Sequence, residues 1–125
     1  MTAGRPRLVV VEDEPALQKV LQMRLQMEGF EVRTASDGEE ALLLIREERP
    51  DLVLTDLMMP VMDGAELTRA IKGDPDLKSI PVLVLTALKE KREREHLMAA
   101  GADGFAAKPY NSLELTARIR ELVGQ

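Results

Sequence analysis

At 125 residues the chain has the length of one domain, and a chain of that size buries roughly two thirds of the surface its unfolded form exposes. Apolar residues make up 45% of it, and its only aromatics are Phe30, Phe105 and Tyr110, so the core is aliphatic; the net charge of -5 argues against a general affinity for nucleic acid, which needs clustered Lys and Arg. The absence of cysteine removes disulfides, thiolate metal sites and a cysteine nucleophile together, and the short apolar runs predict neither a membrane span nor a secretory signal, which leaves the cytoplasm as the expected compartment.

Residues 1–5 are read as a disordered tail on a single domain spanning 1–125. Leu8 to Val11 is a continuous β-branched and aliphatic run, the pattern of a strand buried on both faces in a parallel sheet. It ends at Glu12, Asp13 and Glu14. Pro15 then stands where a first-turn proline is tolerated, Leu17, Val20, Leu21 and Leu25 follow at helical spacing, and Gly29 supplies a stop. Phe30 to Thr34 reads as a second strand. Ser36 with Glu39 forms a capping-box pattern ahead of a helix through Ala41 to Ile45, closed before Pro50.

The same unit repeats three more times. Leu52 to Thr55 is paired with a helix over Ala65 to Lys72, Val82 to Leu85 with Leu88 to Ala100, and Phe105 to Ala107 with Leu113 to Val123. Gly73, Asp74 and Pro75 break the chain after the third helix, Gly101 ends the fourth, and Asn111 with Glu114 can cap the fifth. Five buried strands alternating with five amphipathic helices imply right-handed crossovers onto a parallel sheet with helices on both faces. A barrel needs eight such units, so the prediction is an open, doubly wound (βα)5 sandwich of flavodoxin-like strand order 2-1-3-4-5.

The unusual polar residues collect at the carboxyl ends of these strands. Glu12 and Asp13 follow the first, Asp56 ends the third, Thr86 the fourth and Lys108 the fifth. In the order 2-1-3-4-5 the first and third strands meet at the topological switch point, where ligands bind, so one pocket can hold all five. Three carboxylates at one sheet edge repel, each close pair by about 4 kcal/mol at 4 Å in an effective dielectric of 20, unless a cation or proton intervenes. Hard oxygen ligands with no His or Cys nearby favour Mg²⁺, whereas the loop lacks the acidic spacing of an EF-hand calcium site. With that charge balanced, Asp56 can attack a phosphoryl group, Lys108 supplies a fixed positive charge, and Thr86 supplies a hydroxyl donor just before the fourth helix.

The segments Val9-Val10-Val11-Glu12-Asp13-Glu14, Asp56-Leu57-Met58-Met59-Pro60-Val61-Met62-Asp63-Gly64, Thr86-Ala87 and Lys108-Pro109 together resemble the motif set of response-regulator receiver domains. Each piece alone is weak. Four in order at four strand ends are specific. The resemblance implies that Asp56 is the phosphoacceptor, that Asp13 ligates Mg²⁺ directly with Glu12 helping through water, and that the Met58 backbone carbonyl completes the protein ligands. It further implies that Thr86 and Lys108 contact the phosphoryl oxygens, that the Lys108–Pro109 bond is cis, and that Phe105 is a switch aromatic. A sensor histidine kinase or phosphotransfer protein would supply the phosphoryl group. The fourth helix, fifth strand and fifth helix would carry the signal to an effector protein or a fused output domain, as a monomer or a phosphorylation-dependent homodimer. The implied protein is no enzyme beyond catalysing its own phosphorylation and dephosphorylation. Gly104 departs from an acidic residue common before the switch aromatic in the transcription-factor subgroup, which puts their shared dimer contacts in doubt.

Met58 and Leu88, two residues beyond Asp56 and Thr86, occupy positions that flank the path of attacking water in the resembled family. The bland readings are loop packing for Met58, Met59 and Met62, a solvated face for Lys89 to Glu95, and an exposed, inert His96. The rival function is an aspartyl-nucleophile phosphatase, which wants a second Asp where Met58 stands. A flavin or nucleotide binder of similar fold would want a Gly-rich phosphate loop where Glu12 to Glu14 stand.

Overall fold

The computed structural model of the chain describes residues 4–87 and 91–124. Five strands, β1 (Arg7–Val11), β2 (Glu31–Ala35), β3 (Leu52–Asp56), β4 (Val82–Thr86) and β5 (Gly104–Ala107), alternate with α1 (Pro15–Met27), α2 (Gly38–Glu48), α3 (Gly64–Lys72), α4 (Lys91–Ala100) and α5 (Ser112–Leu122). All four strand pairings are parallel, in the order β2-β1-β3-β4-β5. That is the predicted doubly wound sheet. The expected start of the fourth helix at Leu88 falls outside the described residues.

Side chains alternate across the sheet with the period of two that a strand imposes. Val9, Val11, Val53, Val82 and Val84 pack under α2, α3 and α4 with Ala41, Ile45, Leu67, Ile71 and Leu97. Leu8, Val10, Leu52, Leu54, Leu83 and Leu85 pack on the other side with Leu21, Leu25, Leu115 and Ile119 of α1 and α5. Both faces are therefore dry. This explains why the central strands β1, β3 and β4 read as near-continuous apolar runs, whereas the edge strand β2 alternates, with Glu31 and Arg33 exposed.

Helix starts depart from expectation at one place. Asp37, not Ser36, is the N-cap of α2: its backbone is extended and its carboxylate accepts from the Glu40 N–H at 2.8 Å, while the Glu40 carboxylate accepts from the Ser36 N–H. Asp37 with Glu40 repeats the Ser36 and Glu39 pattern one residue later, and α2 then places Ala41 and Ile45 in the core. Asn111 caps α5 as expected, accepting from the Leu113 and Glu114 N–H groups.

The β3–α3 connection is tight and strained. The Met62 N–H donates to the Pro60 carbonyl at 2.7 Å, a three-residue turn whose central residue, Val61, sits at φ 69°. A β-branched side chain is disfavoured there. Val61 is mostly exposed and so gains little from packing. Val61→Gly is expected to stabilise the protein by about 0.5–1 kcal/mol, the relieved strain being partly offset by the extra freedom of glycine in the unfolded chain. A urea titration should show the midpoint rising with an unchanged slope.

Candidate functional site

Strand register brings the predicted residues to one edge. Val11 lies opposite Thr55, Asp56 opposite Leu85 and Thr86 opposite Ala107, so Glu12, Asp56, Thr86 and Lys108 occupy successive positions at the carboxyl ends of β1, β3, β4 and β5. The Lys108 N–H donates to the Thr86 carbonyl at 2.9 Å, which ties the fifth strand's end to the fourth. The Lys108–Pro109 bond is cis.

At the centre, Lys108 Nζ lies 2.7 Å from Asp56 Oδ1 and 3.8 Å from Glu12 Oε1. The Leu57 N–H also donates to Asp56 Oδ1, at 3.0 Å. Carboxylate oxygens of Glu12, Asp13 and Asp56 all lie within 4.8 Å of one another, with Glu12 and Asp56 buried and Asp13 exposed. Among the described residues this is the one such acidic group, and its donors are all carboxylate oxygens, the set a hard divalent cation selects. The residues present fit Mg²⁺.

The local sequence holds this arrangement in place. The Asp63 side chain caps α3 in a capping box with Glu66, and the Gly64 N–H donates to the Leu57 carbonyl at 2.8 Å. A Cβ at Gly64 would sit 2.5 Å from the Asp56 carbonyl oxygen. Only glycine lets the start of α3 approach the backbone of Asp56 so closely. Met62 packs on Gly38 at the start of α2, and Met59 lies partly buried against the core, whereas the Met58 side chain is 77% exposed beside α4. Phe105 is half-buried, packed against the core under α2, α3 and α4. His96 is exposed on α4, Lys91 and Glu95 form an exposed ion pair at 3.9 Å, and Leu88, Lys89 and Glu90 lie outside the described residues.

One contributor was not legible as a site residue. The side-chain amide of Gln18, on the second turn of α1, donates to the Glu12 carbonyl at 3.0 Å, to the Ala35 carbonyl at 3.1 Å and to Ser36 Oγ at 3.4 Å. A glutamine at this helical position carries no sequence signal that separates it from a solvated one.

Burial pushes the Glu12 carboxyl above the usual carboxylate range. The Glu14 N–H that donates to it lowers it, the Asp56 charge raises it, Lys108 lowers it, and a hydrogen bond with Asp13 raises it. A carboxyl raised on folding contributes stability that is fully present below its ordinary value of 4.5 and is lost as pH climbs through its raised folded value. Glu12→Gln, whose amide oxygen can still accept from Glu14, is therefore expected to stabilise the cation-free protein at neutral pH. The gain should vanish on acidification. Thermal melts in chelator across that pH range check this, and a pH-independent difference would refute it.

The sequence profile of the response regulator receiver domain matches residues 8–120. The chain is 41% identical over 118 residues to the phosphate regulon transcriptional regulatory protein PhoB of Rhizobium meliloti, covering 94% of this chain and 52% of that protein. It spans about half the length of the curated relatives it matches. Among solved structures, the signal receiver domain of a signal transduction histidine kinase from Syntrophus aciditrophicus superposes with a TM-score of 0.89 at 35% identity, covering 95% of this chain and 90% of that one. The receiver domain of the sensor histidine kinase PA1611 from Pseudomonas aeruginosa PAO1, which has a magnesium ion coordinated in its active site cleft, superposes with a TM-score of 0.88 at 32% identity, covering 98% and 100%.

Proposed function

The chain belongs to the response regulator receiver domain family of two-component signalling, and from that premise we propose that it is a phosphorylation-driven switch whose acceptor is Asp56. The observation that carries this reading is a buried carboxylate, Asp56, held 2.7 Å from the Lys108 ammonium and within reach of two further acids. Glu12, Asp13, Asp56 and the backbone carbonyl of Met58 would hold Mg²⁺, Asp13 directly and Glu12 through water. Bound there, the ion neutralises the acids and the charge that develops on the transferring phosphoryl oxygens.

The residues of the chain do the rest. Asp56 Oδ1 is engaged by Leu57 and Lys108, which supports a reading in which Oδ2 is the attacking oxygen. Its lone pair forms the new O–P bond as the bond from phosphorus to the donor breaks, and the donor, a phosphohistidine of a kinase or phosphotransfer protein, leaves with the bonding electrons and takes up a proton. Lys108 and the Thr86 hydroxyl receive the phosphoryl oxygens. The exposed Leu17 and an apolar groove formed by Leu21, Leu85, Pro109 and Tyr110 adjoin Glu12 and Lys108, giving a cytoplasmic donor protein an apolar footing beside the acceptor.

Transfer to Asp56 can shift the domain only by its unequal contacts in two pre-existing states, so Thr86 and Phe105 bias that equilibrium and α4, β5 and α5 present the outcome to an effector. We read residues 1–125 as one receiver domain, a reading supported by the family match over residues 8–120. The test is incubation with Mg²⁺ and acetyl phosphate: the intact mass should rise by one phosphoryl group per chain, and steady release of phosphate without labelling would overturn the reading.

The exposed Met58 side chain, with Leu88, is assigned to restricting water at the acyl phosphate. Met58→Asn is expected to speed dephosphorylation severalfold, most clearly in combination with Leu88→Glu. An unchanged decay of the labelled species would dismiss this role.

A further inference from the structure

We propose that Gln18 is a positioning residue for the acidic cluster, its side-chain amide fixing the peptide between Glu12 and Asp13 and thereby setting the affinity of the site for a divalent cation. The proposal rests on reading that cluster as the Mg²⁺ site. The Glu12 carbonyl belongs to the peptide group that leads directly into Asp13, the exposed acid of the three. Gln18 Nε2 holds that carbonyl at 3.0 Å and the Ala35 carbonyl at 3.1 Å, while the Glu12 N–H donates to the same Ala35 carbonyl at 3.0 Å. The carboxyl end of β1 is thus fixed to the end of β2 from both sides of one residue. On the far side of Asp13, the Glu14 N–H donates to Glu12 Oε2 at 3.1 Å. Asp13 is therefore suspended between two anchored residues.

The tie matters because α1 starts without a side-chain cap. Glu14 makes no capping bond, and Pro15 has no N–H to offer a partner. Gln18 is the side chain of α1 that reaches back to the loop, and it does so from a partly buried position. Three acids that repel each other will spread if their backbone is loose. Holding the Glu12–Asp13 peptide in one direction keeps their oxygens convergent before the cation arrives, so less order has to be imposed on binding. Outer partners of metal ligands act this way in general.

Gln18→Met keeps the length and helix preference of the side chain and removes both N–H donors. Calorimetric titration with MgCl₂ should show the dissociation constant rising about tenfold, the range expected when a ligand loses its supporting hydrogen bond. Ile71→Val, a core change on the opposite face of the sheet, is expected to lower the melting temperature with no change in that constant. A Gln18→Met protein that loses stability but binds Mg²⁺ like the wild type would reduce Gln18 to a structural tie and overturn the proposal. Wild-type protein that binds no Mg²⁺ would instead sink the reading of the cluster itself. Should Gln18→Met fail to fold, the Gln18 side-chain amide resonances of the isotope-labelled wild type decide the matter. They should shift on Mg²⁺ addition, and unmoved resonances beside moving Asp13 and Asp56 signals would overturn the proposal.

Discussion

Asp56→Asn is expected to abolish phosphoryl labelling by acetyl phosphate altogether, at any Mg²⁺ concentration and any time of incubation. The amide has nearly the shape of the carboxylate and can still accept from the Leu57 N–H, so the fold has no reason to change. What disappears is the nucleophile. Neither neighbouring acid is placed to replace it. Glu12 has Oε2 engaged by the Glu14 N–H and its carboxyl is pushed toward the protonated form, while Asp13 is the exposed member of the group and has no close ammonium partner among the described residues. Intact-mass measurement of wild type and variant side by side reads the outcome directly. A residual single label on Asp56→Asn would move the acceptor to another acid and remove the central assignment.

Much of this was readable in the sequence because the fold imposes simple periods. Strands covered on both faces must be almost wholly apolar, and the runs at 8–11, 52–54 and 82–85 are, with Thr55 buried behind its own hydrogen bond to the Asp56 carbonyl. The residues that end them then stand out as polar against an apolar background, which is why Glu12, Asp56, Thr86 and Lys108 could be placed at one edge before their separations were known. Local chemistry was less decisive. Ser36 and Asp37 can both cap, Glu39 and Glu40 can both complete the box, and the choice between them depends on whether Ala41 and Ile45 reach the core. Gln18 makes three hydrogen bonds, one to the loop just before its helix and two at the remote end of β2, a relation that no periodicity encodes.

Gly104 is a sequence departure whose surroundings the structure describes. The residue is buried on β5, and an added Cβ would meet the Arg118 guanidinium at 3.1 Å and Leu83 at 3.3 Å. Arg118 lies over the strand and donates to the Phe105 carbonyl at 3.4 Å. The arginine of α5 is therefore turned onto its own edge strand. The same contact places Arg118 against the backbone of Phe105, the proposed switch residue.

Lys108→Met is the second substitution with a large expected effect, and it separates the cation's contribution from that of the ammonium. Nζ lies 2.7 Å from Asp56 Oδ1 and 3.8 Å from Glu12 Oε1, so one positive charge serves two acids and stands where the transferred phosphoryl oxygens arrive. Removing one such donor at a developing oxyanion typically costs about 100- to 1000-fold in rate. Labelling by acetyl phosphate at saturating Mg²⁺ should slow by that order while its final extent is kept, since Asp56 remains. Loss of the ammonium also removes an influence that lowers the Glu12 carboxyl, which will then hold its proton to higher pH. The stability of the cation-free variant should accordingly continue to fall with rising pH beyond the point where the wild type levels off. A wild-type labelling rate in Lys108→Met would mean that the ammonium only balances charge in the resting site and takes no part in the transfer.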